Sequence, residues 1–187
     1  WGLRDNAVLV GLVGRLDPVK DHPAFLAAAA RVRHVFPKIR FVVIGDGPQD
    51  YLEKLQGMTA GLGLYDAVRW EHDRQDIRQV YNALDILCLS SKGEGFPNVI
   101  AEAMACAVPC AATRVGDVPL IIGETGRIVQ PENAAELSEA LIELISFAPE
   151  KPRILGEKAA QRIRTYFGVD NLIQETMLVL KATVEKK

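Results

Sequence analysis

Short apolar runs recur along the chain, separated by longer stretches of helical period. The runs are 7–12, 40–44, 67–70, 86–89, 109–112 and 127–129. Several are rich in Val and Ile and stay apolar throughout instead of alternating with polar residues. A strand of that pattern is covered on both faces, as in a parallel sheet between layers of helices. The stretch 23–36 opens behind Asp21, has a proline in its first turn and stops before Pro37, which reads as a helix. Stretches 50–61, 76–84, 98–106 and 134–146 read likewise. In the last, Leu137, Leu141, Leu144 and Ile145 fall on one face. The alternation predicts an α/β fold: a Rossmann-like, doubly wound parallel sheet of about six strands with helices on both faces. Two more helices, 152–166 and 170–187, follow the sheet. The final one carries Ile173, Met177, Leu180 and Val184 as an apolar stripe, and a stripe needs a partner.

The chain has 187 residues, the size of one full domain able to bury its core without staples. Hydrophobic residues make up 49% and charged residues 25%, which excludes a disordered acidic or basic tail. A formal net charge of −2 argues against binding to a nucleic-acid backbone. Cys88, Cys106 and Cys110 lie in apolar or alanine-rich segments with no metal-ligand spacing. They read as buried free thiols in a reducing compartment. No apolar stretch reaches the length of a membrane span and no signal-peptide pattern opens the chain. A cytoplasmic location is therefore expected. Because Trp1 stands only a few residues before the first strand, a piece of a longer protein is expected too.

Ligands of doubly wound sheets sit at the carboxyl ends of the strands. After the first strand comes Gly14-Arg15-Leu16-Asp17-Pro18-Val19-Lys20. Gly14 permits close backbone approach. Arg15 and Lys20 suit a diphosphate, one as a fork and the other as a point charge, although two solvated basic side chains in a loop would look the same. Gly45-Asp46-Gly47-Pro48, after the second strand, reads as a tight turn. It lacks the third glycine of a dinucleotide fingerprint, and no Walker lysine motif occurs, so oxidoreductase and P-loop chemistry are disfavoured. The fourth strand is followed by Glu94-Gly95-Phe96-Pro97-Asn98-Val99-Ile100-Ala101-Glu102. With Asn98 as N-cap, the amides of Val99, Ile100 and Ala101 would form an anion site. Glu94 and Glu102 would face one cleft and accept hydrogen bonds from paired hydroxyls. Glu102 alone could equally be an early-turn glutamate complementing the helix dipole.

These residues resemble the donor-binding signature of retaining glycosyltransferases of family four, which have the GT-B fold. The E-x7-E pair Glu94 and Glu102 carries the resemblance, with Val13-Gly14-Arg15-Leu16 and Lys20, Val43-Ile44-Gly45-Asp46-Gly47, Asp73-Arg74-Gln75-Asp76-Ile77, Ala83-Leu84-Asp85-Ile86, Val115-Gly116-Asp117 and Thr125-Gly126-Arg127-Ile128-Val129. Order and spacing agree across nearly the whole chain. The resemblance implies that Arg15 and Lys20 hold the donor diphosphate in place of a metal. It implies that Glu94 and the backbone of Gly95, Phe96, Pro97 and Asn98 meet the donor sugar. Val99 and the following amides would cap a phosphate, Glu102 would bind the ribose, and the loop from His72 to Arg74 would lie near the nucleobase. No cofactor is implied, since the nucleotide-diphospho-sugar is a co-substrate.

The implied reaction moves a sugar to an acceptor hydroxyl, on a sugar or a lipid-linked glycan, with anomeric configuration retained. Both glutamates fall on the donor side, so Glu94 is not read as a covalent nucleophile. The resemblance covers one half of a GT-B fold, with residues 1–169 as donor domain and 170–187 as a helix packing on a missing N-terminal domain. Peripheral attachment at the inner face of a membrane would come through that domain, and the fragment alone is expected to be inactive. Three positions depart from the pattern: Ala107 and Asp21 where glycine is usual, and Leu120 where an acidic residue is frequent. Two other classes stay open, a nucleotide-sugar epimerase domain of GT-B fold and a non-catalytic flavodoxin-like interaction module.

Overall fold

A computed structural model of the chain describes residues 7–146 and 150–184. Its strands are β1 (Leu9–Val13), β2 (Arg40–Ile44), β3 (Val68–Glu71), β4 (Ile86–Leu89), β5 (Cys110–Thr113) and β6 (Arg127–Val129). They form one six-stranded parallel sheet in the order β3-β2-β1-β4-β5-β6. β1 lies between β2, with Val13 opposite Ile44, and β4, with Gly11 opposite Leu87. The strand order therefore reverses between β1 and β4, which opens the crevice where doubly wound folds hold ligands.

Helices cover both faces: α1 (His22–Val35), α2 (Gln49–Gly61) and α6 (Ala134–Ser146) on one, and α3 (Ile77–Ala83), α4 (Asn98–Ala105), α5 (Val118–Ile122) and α7 (Glu150–Tyr166) on the other. The period of two along a strand divides β1 between the two cores. Val10 and Leu12 join Phe25, Leu55 and Leu141 on one side, whereas Leu9 and Val13 join Tyr81, Ile100 and Ile121 on the other. All five β1 residues are buried, which is why the run shows no alternation in the sequence.

β2, β4, β6 and α6 have the bounds read from the sequence, and the described ends of the other predicted elements differ by one or two residues at most, as fraying ends do. Two short elements escaped it. One is a 3-10 turn at Pro18–Lys20, held by Asp17 Oδ1 accepting from the Val19 amide at 2.9 Å. The other is α5, five residues long and so too short to show a helical period. Asp21 takes a left-handed conformation, φ 48°, and caps α1 by accepting from the Ala24 amide at 3.4 Å. Aspartate tolerates that region better than most side chains, which accounts for a non-glycine residue there.

Ala107 is also left-handed, φ 60°. It closes α4 in a Schellman motif, with the Ala107 amide on the Met104 carbonyl at 2.9 Å and the Val108 amide on the Ala103 carbonyl at 3.0 Å. Cys88 and Cys110 are buried, and burial pushes both thiols well above the usual range. Cys106 is only partly covered, because it sits at the C-cap of α4 rather than inside the helix packing. In α8 (Val169–Val184), Leu172, Ile173, Met177, Leu178 and Leu180 are all exposed. Ile173, Met177 and Leu180 of the expected stripe are therefore not buried against this domain; residues 185–187 lie outside the described residues.

Candidate functional site

The site is built on loops leaving β1, β4 and β5, and their backbones interlock. The Gly14 amide donates to Ile44 O at 2.9 Å and the Leu16 amide to Asp46 O at 2.9 Å, so the β2 loop supports the β1 loop. The contact is close enough that a Cβ on Gly45 would collide with the Gly14 carbonyl. The β4 loop is joined to the β1 loop by the Lys92 amide on Val19 O at 2.8 Å and by Ser90 Oγ on Lys20 O at 2.7 Å. From β5, the Asp117 amide donates to Gly95 O at 3.0 Å. Gly116, with φ 47°, lets that loop lie directly against the Glu94 and Gly95 carbonyls.

On this frame Lys20 and Glu94 meet. Lys20 Nζ lies 2.7 Å from Glu94 Oε1, with the two side chains 17% and 13% exposed. Ser91 Oγ donates to the same oxygen at 2.6 Å, from a residue that is fully buried. Gly14 lies beside Lys20: a Cβ built on it would sit 3.5 Å from Lys20 Cε. Arg15 is exposed on the same loop and makes no side-chain hydrogen bond or ion pair among the described residues. The expected cationic pair is thus divided into an anchored ammonium and a solvated guanidinium.

Asn98 is not the N-cap of α4. Pro97 occupies that position, without a side-chain bond, and Asn98 is the first helical residue. The helix therefore begins one residue earlier than a capping asparagine would set it. The Ile100 amide donates to Pro97 O at 3.0 Å, so it is not available to an anion. No backbone carbonyl accepts from the Asn98 and Val99 amides among the described residues, so the open donors lie at the very start of the helix. Phe96 is 45% exposed and leans on Phe167, ring centroids 5.8 Å apart, which ties the loop to the chain beyond α7.

Glu102, on the second turn of α4, is exposed and accepts from Tyr81 Oη at 2.7 Å. Tyr81 is buried on α3, and burial, with the Glu102 carboxylate beside it, pushes its phenol up from the ordinary tyrosine range. Arg74 is half-buried and turned onto Asp76, through Nε at 2.7 Å and Nη2 at 2.6 Å, so its guanidinium is already engaged. His72 Nδ1 lies 2.6 Å from Asp46 Oδ1. Bonding to Asp46 holds the imidazole above its ordinary value, and the same contact holds the carboxyl below its own.

Sequence reasoning missed Ser91 and Tyr81 as parts of the site, and it gave Gly116 no role beyond the motif that contains it. Ser91 and Tyr81 are single polar groups in buried surroundings, and only the partner reveals the role. The tight turn Gly45-Asp46-Gly47 gains a purpose as the brace under Gly14. No three His, Cys, Asp or Glu side chains among the described residues are placed to hold a metal ion. No helix there is long and apolar enough to cross a membrane.

Residues 7–146 match the family model described as Glycosyl transferases group 1. The chain belongs to that family. A D-inositol 3-phosphate glycosyltransferase of Stackebrandtia nassauensis is 32% identical over 165 residues, covering 82% of this chain and 37% of the relative. One of Mycobacteroides abscessus is 33% identical over 153 residues, covering 78% of this chain and 33% of the relative. Among solved structures, Anabaena HepE in complex with UDP and glucose superimposes with a TM-score of 0.85 at 26% identity, over 95% of this chain and 49% of that one. The C-terminal domain of a glycosyl transferase group 1 family protein of Francisella tularensis gives 0.77 at 26% identity, covering 87% of both chains. This group 1 chain therefore has the fold of the C-terminal GT-B domain, and it spans about a third of the length of the curated relatives it matches.

Proposed function

We propose that this domain binds the nucleotide-sugar donor of a retaining glycosyltransferase that moves the sugar to an acceptor hydroxyl in polysaccharide or lipid-linked glycan synthesis. The observation that carries the reading is the meeting of Lys20 and Glu94 at the switch point, next to the open amides of α4. A lysine ammonium has three N–H donors. One goes to Glu94, which leaves two for diphosphate oxygens, and Arg15 supplies a second cation from the same loop. Charge builds on the departing diphosphate as the glycosidic bond stretches toward an oxocarbenium-like state. Fixed cations at that position stabilise the transition state more than the ground state. Glu94 accepts from donor-sugar hydroxyls, and the leaving phosphate helps to deprotonate the acceptor on the face it departs from. Glu102, oriented by Tyr81, accepts from the ribose, and the His72–Arg74 loop flanks the base.

A related structure supports the donor class: HepE was crystallised in complex with UDP and glucose. We assign residues 1–169 to the donor domain and the exposed apolar face of α8 to contact with an N-terminal domain that completes the cleft. Calorimetric titration of the folded chain with UDP-, GDP- and ADP-glucose tests the reading. Binding of one of them at sub-millimolar concentration is expected. Absence of binding by all of them at millimolar concentration would refute it.

A further inference from the structure

Two donors converge on one oxygen of Glu94. Lys20 Nζ and Ser91 Oγ reach Oε1 at 2.7 and 2.6 Å, and Oε2 takes no hydrogen bond among the described residues. A carboxylate has about four lone-pair sites, so the converging pair fills one oxygen and leaves the other open. Ser91 itself is immobilised. It is fully buried, its carbonyl accepts from Thr113 Oγ1 at 2.6 Å, and its neighbour Ser90 is bonded to the Lys20 carbonyl at 2.7 Å. The two donors differ in kind. Lys20 has further N–H groups that an anionic ligand attracts, so its hold on Glu94 changes when a diphosphate arrives. The Ser91 hydroxyl is neutral and buried, and it has no competing ligand to turn toward.

We infer that Ser91 is a positioning residue for donor-sugar recognition, keeping the plane of the Glu94 carboxylate fixed with Oε2 presented to sugar hydroxyls while Lys20 engages the diphosphate. The inference rests on the donor-site reading above and adds a residue to it. A group that acts in this way affects the sugar increment of binding and not the nucleotide increment. Its effect also vanishes once Glu94 is gone, since coupled neighbours are non-additive.

The test compares calorimetric affinities for UDP, GDP and ADP with those for the matching glucose conjugates, in the parent chain, Ser91→Ala, Ser91→Cys, Glu94→Ala and the double variant Ser91→Ala/Glu94→Ala. Ser91→Cys fills the same space with a poor donor and guards against a packing effect. Both Ser91 variants should lose about three- to tenfold in affinity for the sugar conjugate, the scale of one ordinary hydrogen bond because the effect reaches the sugar only through Glu94, with the bare diphosphate unchanged within about twofold. Ser91→Ala should cost nothing further in the Glu94→Ala background. Equal losses for both ligand types, or a full Ser91→Ala loss in the absence of Glu94, would overturn the inference while leaving the donor site standing. Failure of the parent chain to bind any nucleotide overturns the donor-site reading and this inference with it.

Discussion

Gly116→Ala tests whether the β5 loop supports the donor loop. The backbone at this position is left-handed, φ 47°, where an L side chain costs about 1–2 kcal/mol. A steric problem adds to the torsional one. A Cβ there would overlap the carbonyl oxygens of Glu94 and Gly95 and lie 2.9 Å from the Glu94 carbonyl carbon. All these atoms are backbone, so no side chain can swing aside. Relief requires the two loops to separate, which breaks the bond from the Asp117 amide to Gly95 O at 3.0 Å, about 1 kcal/mol in a typical case. Reduced freedom of the unfolded chain returns about 0.4–1 kcal/mol. The net is about 2 kcal/mol of destabilisation, or a fall of about 4–8 °C in Tm for a domain of this size.

The assay is thermal unfolding followed by circular dichroism, paired with calorimetric titration of the donor. Gly57→Ala is the internal control. Gly57 lies on the exposed side of α2 with nothing within 4 Å of an added Cβ, so alanine there should raise stability by about 0.5–1 kcal/mol. Donor affinity should fall in Gly116→Ala at temperatures where the protein remains folded, because Glu94 moves with its loop, and should be unaffected in Gly57→Ala. A Gly116→Ala protein with the parent Tm and the parent donor affinity would refute the reasoning.

Three further outcomes are expected. Glu102→Ala should weaken binding of the bare nucleotide diphosphate, and Tyr81→Phe should weaken it by a smaller factor, since it removes only the 2.7 Å bond that orients the carboxylate; titration of both variants checks the ranking. His22 is fully buried with neither ring nitrogen bonded, and burial, assisted by Lys20, lowers its pKa to about 4. The unfolded chain binds a proton near pH 6.5 that the folded chain refuses, so stability should decline as pH falls from about 6.5 to 4, by about 3 kcal/mol from this group, and urea midpoints of His22→Phe should lack that component. Ala107→Gly relieves a left-handed alanine in the Schellman turn and should raise the Tm by about 1–4 °C, the cost of the torsion less the entropy glycine adds to the unfolded chain.

The layered fold was legible because burial on both faces leaves strands continuously apolar, a pattern that survives without any knowledge of partners. β1 and β4 are examples, each buried along its whole length. Elements of five residues or fewer left no period to read, which is why α5 and the turn at Pro18–Lys20 went unseen. The pairing of Lys20 with Glu94 follows from topology, since a 74-residue separation in sequence is closed by placing β1 beside β4. Spacing pointed to each side chain but could not say that they touch. Asn98 shows the reverse error: its residue type fits an N-cap, yet the helix starts at Asn98 itself, behind Pro97. Arg74 was assigned toward the base from the motif, and the motif does not reveal that Asp76 two residues away claims its guanidinium.

The way the site residues are anchored separates two kinds of behaviour. Glu94, Lys20 and Ser91 hang from loops whose backbones are bonded to one another, so their positions are set by the sheet before any ligand arrives. Preorganisation of that kind places the ordering cost in folding and not in binding. Arg15 is different. It is exposed and has no side-chain partner among the described residues, so a ligand must order a long side chain and pays up to about 2 kcal/mol of rotamer entropy to do so. The two cations that the sequence presents as a matched pair therefore differ in what they ask of a ligand: the lysine is in place beforehand, whereas the arginine must be ordered on arrival.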